Sequence, residues 1–457
     1  MSIPSRTRVV ARTQQPGNNP LQRSVVVHGG ARDAYQLAIA LSESGLLEAL
    51  VTDLFWPADR RWAKWLNRLL PQSLVTLLHQ RSTPKLLFSQ VRLCAAAGLR
   101  SLLLDKIPRT PFSMRRSATR AADTALGRTA GELATQTGAR LVSYSYFGFD
   151  AFSNFSGPGI LFQAHPHPVT MRRILLEELR MHPECADSLQ QEWELALPEE
   201  DFNHLVCEVE MASRFLAASS FTRNSLVEHG VPAESISVIP YGVDLDRFHP
   251  RAETIPRPPN AKLELLFVGR INQRKGVKYL LDALRLLNRD DVHLTICGRV
   301  VDSLELFRPF ASQIDIRPSV SHHELVAAYQ HADLFVFPSI AEGFGQVLLE
   351  ALACGLPILS TTHTAAPDLI DDGIQGFIVE PRRPDLLAAR IEWAIHHRAE
   401  LTAMRPLARK RAEQFTWQRF RSGIVDAMKH SPANALGKEA NALGEETNAM
   451  GKTAIAP

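Results

Sequence analysis

Short apolar blocks punctuated by glycine and polar turns, with longer amphipathic stretches between them, set the hydrophobic pattern of this chain. The first block, Ser24-Val-Val-Val-His-Gly-Gly30, reads as a strand running into a Gly-Gly turn. A helix is predicted from about Ala34 to Ser44 and a strand near Ala49 to Leu54. Doubly wound parallel sheets begin with such a β–loop–α–β unit. Residues 60–135 hold few strand signals and read mainly as helix. Strand blocks return at Arg140–Tyr144 and Gly159–Gln163. A long helical span then runs to about Ala212, with apolar blocks at Phe215–Ala218 and Ser235–Ile239.

The pattern breaks at Arg251 to Pro259, a polar, proline-rich stretch that reads as an inter-domain linker. Beyond it strand and helix alternate cleanly. Strands are predicted at Leu263–Val268, His293–Cys297, Asp333–Pro338, Pro357–Ser360 and Gly376–Val379. Helices are predicted at Val277–Leu287, His323–Tyr329 and Gln346–Cys354, with a last one over roughly Leu401–Lys429. The expected architecture is α/β: two Rossmann-like doubly wound domains, 24–250 and 260–400, facing a central cleft. A helical insert at about 60–135 sits in the first, and residues 401–430 follow the second.

Composition narrows this only a little. A chain of 457 residues with 45% apolar and 22% charged positions is an ordinary globular protein of more than one domain. A net charge of +3 selects no partner. Cys94, Cys185, Cys207, Cys297 and Cys354 are scattered and odd in number, which fits reduced thiols in a cytoplasmic protein. No run reaches the ~18 apolar residues of a membrane span. Residues 1–23 hold Arg6, Arg8, Arg12 and Arg23 with no acid, and read as a disordered lead. Residues 431–457 repeat every seven positions (Asn434-Ala-Leu-Gly437, Asn441-Ala-Leu-Gly444, Asn448-Ala-Met-Gly451). One apolar position per repeat cannot sustain a coiled coil, so a disordered tail is expected.

Two strand-to-helix turns in the second half carry candidate chemistry. Gly269-Arg-Ile-Asn-Gln-Arg-Lys-Gly276 puts Arg270 and Lys275 where a parallel sheet places phosphates. Two fixed cations there can neutralise a departing diphosphate without a metal. In Ala341-Glu-Gly-Phe-Gly-Gln-Val-Leu-Leu-Glu350, Gly343 and Gly345 permit close backbone approach to a ligand. The following helix N-terminus offers free N–H groups. Glu342 and Glu350 are too far apart to share a proton and should meet different parts of an extended ligand.

Read together, LLFVGRINQRKGVKYLLDAL, ADLFVFPSIAEGFGQVLLEALACGLPIL and GIQGFIVEP resemble the retaining GT-B glycosyltransferases of family 4. FLAASSFTRNSLVEHGV and VIPYGVDLDRFHP resemble that family's crossover into the second domain. The resemblance implies a first domain on the acceptor side and a second that binds the nucleotide sugar. Arg270 and Lys275 would grip the donor diphosphate, and Glu342 would lie beside the donor sugar. The backbone of Gly343, Phe344 and Gly345 would line sugar and phosphate, and Glu350 would accept from the ribose hydroxyls. Gly29 and Gly30 match the family's loop near diphosphate and acceptor, and Arg299 lies in the region that reads the base. Phe162-Gln-Ala-His165-Pro-His167 follows a strand where the family often carries a histidine facing the reacting sugar. His165 is the first candidate and His167 the reserve. The final helix would cross back onto the first domain.

The implied reaction is transfer of a sugar from a nucleotide diphosphate sugar to a hydroxyl of a glycan, lipid-linked or small-molecule acceptor, with retention. The nucleotide sugar is a co-substrate, and no cofactor or metal is expected. Asp244-Leu-Asp246 has the look of a metal pair, but it follows the crossover signature Ile-Pro-Tyr-Gly-Val. Two departures stand out. Thr364-Ala-Ala-Pro-Asp368 replaces the family's Gly-Gly-x-Pro-Glu, and Ala31, Arg32, Asp33 and Tyr35 follow the opening Gly-Gly in place of a His-containing helix start. A nucleotide-sugar epimerase and a catalytically silent GT-B binding subunit are the competing readings.

Residues 60–120 hold thirteen Lys or Arg and one acid, Asp105. Trp62, Trp65, Leu66, Leu69 and Leu70 lie among Arg60, Arg61, Lys64 and Arg68. Such a mix suits an anionic membrane surface on the inner face of the cell membrane. It suits slightly better a helix whose tryptophans and leucines face the core while the bases are solvated. No nucleic-acid motif accompanies the charge.

Overall fold

The computed structural model describes residues 22–94, 112–251, 261–301 and 303–429. The seven-residue repeats, nearly all of the expected lead and linker, and part of the basic stretch lie outside the described residues.

The first lobe is built on seven strands: β1 (Ser24–Val27), β2 (Leu47–Thr52), β3 (Val91–Leu93), β4 (Arg140–Tyr144), β5 (Gly159–Gln163), β6 (Ala212–Ala217) and β7 (Ile236–Val238). They are all parallel, in the order β3-β2-β1-β4-β5-β6-β7. The second lobe holds β8 (Leu263–Val268), β9 (Val292–Cys297), β10 (Ile314–Arg317), β11 (Leu334–Phe337), β12 (Ile358–Thr361) and β13 (Gly376–Val379). These are also parallel, in the order β10-β9-β8-β11-β12-β13. Central strands such as Val25–Val27, Leu334–Phe337 and Ile358–Thr361 are buried throughout, which is why they read as unbroken apolar blocks.

Strand order reverses once in each sheet, between β1 and β4 and between β8 and β11. Ligands of open parallel sheets bind beyond the strand ends at such points. The Gly29-Gly30 turn follows β1, Gly269–Gly276 follows β8, and Glu342 follows β11, so three of the four loops at the reversals carry candidate motifs.

Four elements differ from the predicted ones. β3 and β10 did not stand out in the sequence, because both are short edge strands with few buried positions. The helical span before β6 is broken into Pro168–Met181, Ala186–Leu189, Trp193–Ala196 and Glu199–Met211, with Pro183 and Pro198 at two of the interruptions. The terminal helix divides into Arg398–Ala412 and Trp417–Lys429.

Two segments lie across the lobes. Phe420, Ile424 and Met428 of the last helix join the apolar core of the first lobe, and Arg421 Nη1 donates to Gln36 at 2.7 Å. Conversely, Met171, Ile174, Leu175, Cys185 and Leu189 join the core of the second lobe, although the chain has not yet left the first. Glu178 is wholly buried there and accepts from Gln273 Nε2 (2.5 Å), Tyr279 Oη (2.9 Å) and Arg382 Nε (2.7 Å). A buried carboxylate with that many donors is satisfied, and it ties the two lobes together.

The expectation that Trp62 and Trp65 face the core is overturned. They are 50% and 60% exposed, Leu69 is 63% exposed, and only Ala63 of the helix Arg61–Leu66 is buried.

Candidate active site

The turn after β8 is shaped by its ends. Gly269 and Gly276 both have positive φ, 145° and 73°, and Asn272 accepts from the Lys275 backbone N–H to close a single 3-10 turn. Out of that turn come three cations. Arg270 is 54% exposed and lies 3.7 Å from Glu192. Arg274 is buried: its Nε donates to Glu192 at 2.9 Å, and its Nη1 donates to Glu342 at 2.9 Å and to the Ala341 carbonyl at 3.0 Å. Lys275 Nζ donates to the same Glu342 oxygen and sits 5.1 Å above the Phe337 ring.

Burial alone would push the Glu342 carboxyl up, but Lys275 and Arg274 beside it hold it well below the usual carboxylate range. Burial and the neighbouring Arg274 lower Lys275 to about 8, against the pull of Glu342. The result is an ionised carboxylate locked under two cations.

Glu342 stays in place because its backbone N–H donates to His363 at 2.9 Å and Gly345 takes φ +85° to turn into the helix Gln346–Ala353. The close approach that Gly343 permits is made to the first lobe: any side chain there would collide with the Ala164 carbonyl oxygen. Ser219 Oγ and Thr222 Oγ1 donate to the Gly343 carbonyl at 2.5 and 3.2 Å. Phe344 is buried, edge-on to Tyr241 at 5.2 Å.

That contact brings His165, next to Ala164, to Glu342. His165 is half-buried, its ring is 5.8 Å from that of Tyr146, and burial lowers it to about 4 even though Glu342 pulls the other way. It is therefore neutral at pH 7. His167 has a structural task instead: it caps the helix Pro168–Met181 by accepting from Val169 N–H at 3.2 Å and stacks on His229 at 4.1 Å.

The remaining candidates are spread more widely. Gly30 N–H donates to Asp53 at 2.8 Å, and Arg81 pairs with the same carboxylate at 3.1 Å. Gly29 lies against Phe147. Glu350 accepts from Tyr329 Oη at 2.9 Å through one oxygen, and burial raises its carboxyl. The Arg299 carbonyl accepts from Ile271 N–H at 2.9 Å, and its side chain is exposed. Asp244 caps a turn, accepting from the backbone of Asp246 and Arg247 at 3.2 and 3.1 Å.

Sequence reasoning passed over Arg274 and Glu192. Arg274 stands in the quoted turn, but nothing in a run of polar residues says which cation is buried. Glu192 comes from a remote segment with no motif, so only the fold discloses it. Asp368, which stands where the family pattern has Glu, accepts from both the backbone and the hydroxyl of Ser220 in the first lobe.

Residues 251–411 match the model of the family described as glycosyl transferases group 1. This part of the chain is similar to the group 1 glycosyl transferases. The chain is similar to a D-inositol 3-phosphate glycosyltransferase of Geodermatophilus obscurus, 34% identical over 47% of this chain and 52% of that one. It is similar to a putative colanic acid biosynthesis glycosyltransferase of Escherichia coli, 28% identical over 52% of this chain and 61% of the relative. It thus spans roughly half to three-fifths of these relatives. In fold it resembles sucrose-phosphate synthase of Thermosynechococcus elongatus, with TM-score 0.58, 17% identity, and 88% of this chain and 96% of that one covered. It also resembles Anabaena HepE in complex with UDP, with TM-score 0.55, 16% identity, and 89% and 99% covered. Two parallel-sheet lobes in this arrangement are the GT-B fold.

Proposed function

We propose that this protein is a retaining glycosyltransferase that moves a sugar from a nucleoside diphosphate sugar to a hydroxyl acceptor without a metal. The observation that carries this reading is the meeting of Lys275, Arg274 and Glu342 from one lobe with His165 from the other. Arg274 is held by two carboxylates, so Arg270 and Lys275 are the cations left to face a diphosphate. Their charge would offset that of the leaving nucleotide. Glu350 would take the ribose through the oxygen that Tyr329 leaves free.

His165 at about 4 is too weak a base to accept a proton at pH 7. It suits a hydrogen bond to the donor sugar, and the acceptor's proton would pass to the leaving phosphate on the same face. Glu342, tied to two cations, suits positioning rather than attack.

The exposed Trp62, Trp65 and Leu69, beside the exposed Arg60, Arg61, Lys64 and Arg68, support a peripheral place on an anionic membrane at the cytoplasmic side. Among the described residues no helix is long and apolar enough to cross a membrane.

Incubation with UDP-, GDP- and ADP-sugars tests the assignment. Hydrolysis or transfer of one donor is expected, with the product's anomeric proton coupling matching that of the donor. An epimerised donor, or no turnover with any of them, would overturn it.

A further inference from the structure

The short helices between Met181 and Glu199 form a strap that touches both lobes. At its start Cys185 and Leu189 are buried in the core of the second lobe, and Ser188 Oγ accepts from the Gln273 N–H at 3.2 Å. At its end Glu194 accepts from the Tyr146 hydroxyl at 3.0 Å, and the Ala196 carbonyl accepts from Arg116 at 3.1 Å, both in the first lobe. Glu192 lies between these anchors and is 6% exposed. Its own N–H donates to the Leu189 carbonyl at 3.0 Å.

Both Glu192 oxygens are directed at the turn Gly269–Gly276. Oε1 accepts from Asn272 Nδ2 at 2.6 Å and lies 3.7 Å from Arg270 Nη2, and Oε2 accepts from Arg274 Nε at 2.9 Å. A carboxylate only accepts, so it turns the Asn272 amide NH2 toward itself and leaves the amide oxygen for the Lys275 N–H at 3.3 Å, the bond that closes the turn. Arg274, held at Nε, presents Nη1 to Glu342 at 2.9 Å and to the Ala341 carbonyl at 3.0 Å. Burying an ion pair gains little net stability over apolar side chains of the same size. What this one supplies is direction. Asn272 and Arg274 are thereby spent on the strap, and Gln273 on Ser188 and Glu178. Among the described residues the Lys275 ammonium has Glu342 as its one polar partner.

Charge follows the same arrangement. Burial works against the charge on Arg274, and Glu342, Glu192 and Glu194 outweigh it. Burial and Arg274 lower Lys275, while Glu342 and Glu192 pull it back up. Arg270, Arg274 and Lys275 thus face Glu192 and Glu342, which leaves a surplus of positive charge at the turn.

We propose that Glu192 is a positioning residue for the donor diphosphate: it aims Arg274 at Glu342, orients the Asn272 cap, and leaves Lys275 as the cation of the turn that meets phosphate. This rests on the transferase reading and deepens it. Glu192 acts through Arg274 and Asn272, and through the charge it places near Lys275.

Calorimetric titration of UDP, GDP and ADP into the full chain at pH 6, 7 and 8.5 tests it. The proteins are the native chain, Glu192→Gln, Arg274→Gln and the double variant, with folding checked by circular dichroism. Glu192→Gln removes a negative neighbour of Lys275, so the ammonium loses its proton at lower pH than in the native protein. The ratio of native to variant affinity should therefore widen by roughly fivefold between pH 6 and pH 8.5. A carboxylate that only fills space would, on removal, lower affinity by the same factor at every pH. The double variant leaves no lone charge where the pair was, and its affinity relative to Arg274→Gln should fall with pH in the same way. That second comparison decides the matter if Glu192→Gln does not fold. In whichever pair is folded, a ratio that stays constant with pH overturns the role of Glu192 and leaves the transferase reading standing. Failure of the native protein to bind any of the three nucleotides strikes the transferase reading itself, and this inference falls with it.

Discussion

In the proposed reaction Lys275 is the residue on which the chemistry turns. Its neighbours determine whether it is charged, and at about 8 it loses its proton just above neutrality. Donor diphosphate affinity should therefore fall as pH rises through that value, because the deprotonated amine no longer attracts phosphate. Calorimetric titration with the bound nucleotide at pH 7 and pH 9.5 should show a loss on the order of tenfold. Lys275→Arg, which keeps its charge, should flatten the profile. A pH-independent affinity in the native protein would remove Lys275 from the diphosphate site.

Three acids in the first lobe titrate abnormally in the other direction. Burial raises Asp33 and Asp123 to about 7 and Glu208 to about 8. An unfolded chain releases those protons near pH 4, whereas the folded one holds them until near pH 7 to 8. Their joint contribution makes the fold lose stability as pH rises from 4 to 8. A melting series should show Asp123→Asn gaining on the native protein as pH increases from 5 to 8. An equal gain at both values would mean that Asp123 ionises normally. None of this was legible in the sequence, since each acid owes its state to segments far along the chain. Arg270, Lys275 and Glu342 were legible because motif and turn coincide at a strand end.

Among the elements, one of the two loops that depart from the family pattern joins the lobes. Thr364-Ala-Ala-Pro-Asp368 gives up two glycines, and its Asp368 takes Ser220 of the first lobe as partner. Gly343 carries the reciprocal contact, with Ser219 and Thr222 holding its carbonyl. Asp368→Ala leaves the Ser220 N–H unpaired, and should lower stability by about 1–3 kcal/mol, read from denaturant midpoints. An unchanged midpoint would mean that this bond is exchanged freely with water. The other departure, the left-handed turn at Asp33, Ala34 and Tyr35 (φ 45°, 49° and 64°), is held within the first lobe. Asp33 holds it by accepting from Gln36 and Leu37 N–H at 3.1 and 3.3 Å and from the Tyr144 hydroxyl. A helix start was visible in the sequence there, but the turn was not, because no glycine announces it.

The helix Arg61–Leu66 is the other element with a consequence. Residues that periodicity alone would bury are exposed beside four exposed bases. Co-sedimentation with phosphatidylglycerol vesicles at low salt should capture the native protein, and the Trp62→Ala, Trp65→Ala double variant should lose most of it. Capture of both alike, or of neither, would leave the patch without a lipid role.

At the scale of the whole molecule, the two lobes were legible from alternation of strand and helix, and the sheet order followed the expected doubly wound scheme. The exchange between lobes was not. The segment from Pro168 to Leu189 contributes to the second core, and the last helix contributes to the first. Amphipathic periodicity tells that a helix has a buried face without telling which surface covers it. Glu178, with its donors Gln273, Tyr279 and Arg382, is the result: a buried bond set across the lobes that fixes the turn Gly269–Gly276.

Everything functional rests on that turn holding a nucleotide. Isothermal titration of UDP, GDP and ADP into the native protein, Lys275→Ala and Glu350→Ala decides it most directly. One nucleotide should bind the native protein, and each variant, folded at the titration temperature by circular dichroism, should bind it at least roughly tenfold more weakly. Undiminished affinity in both variants would contradict the placement of the diphosphate and the ribose, and with it the transfer chemistry built on them.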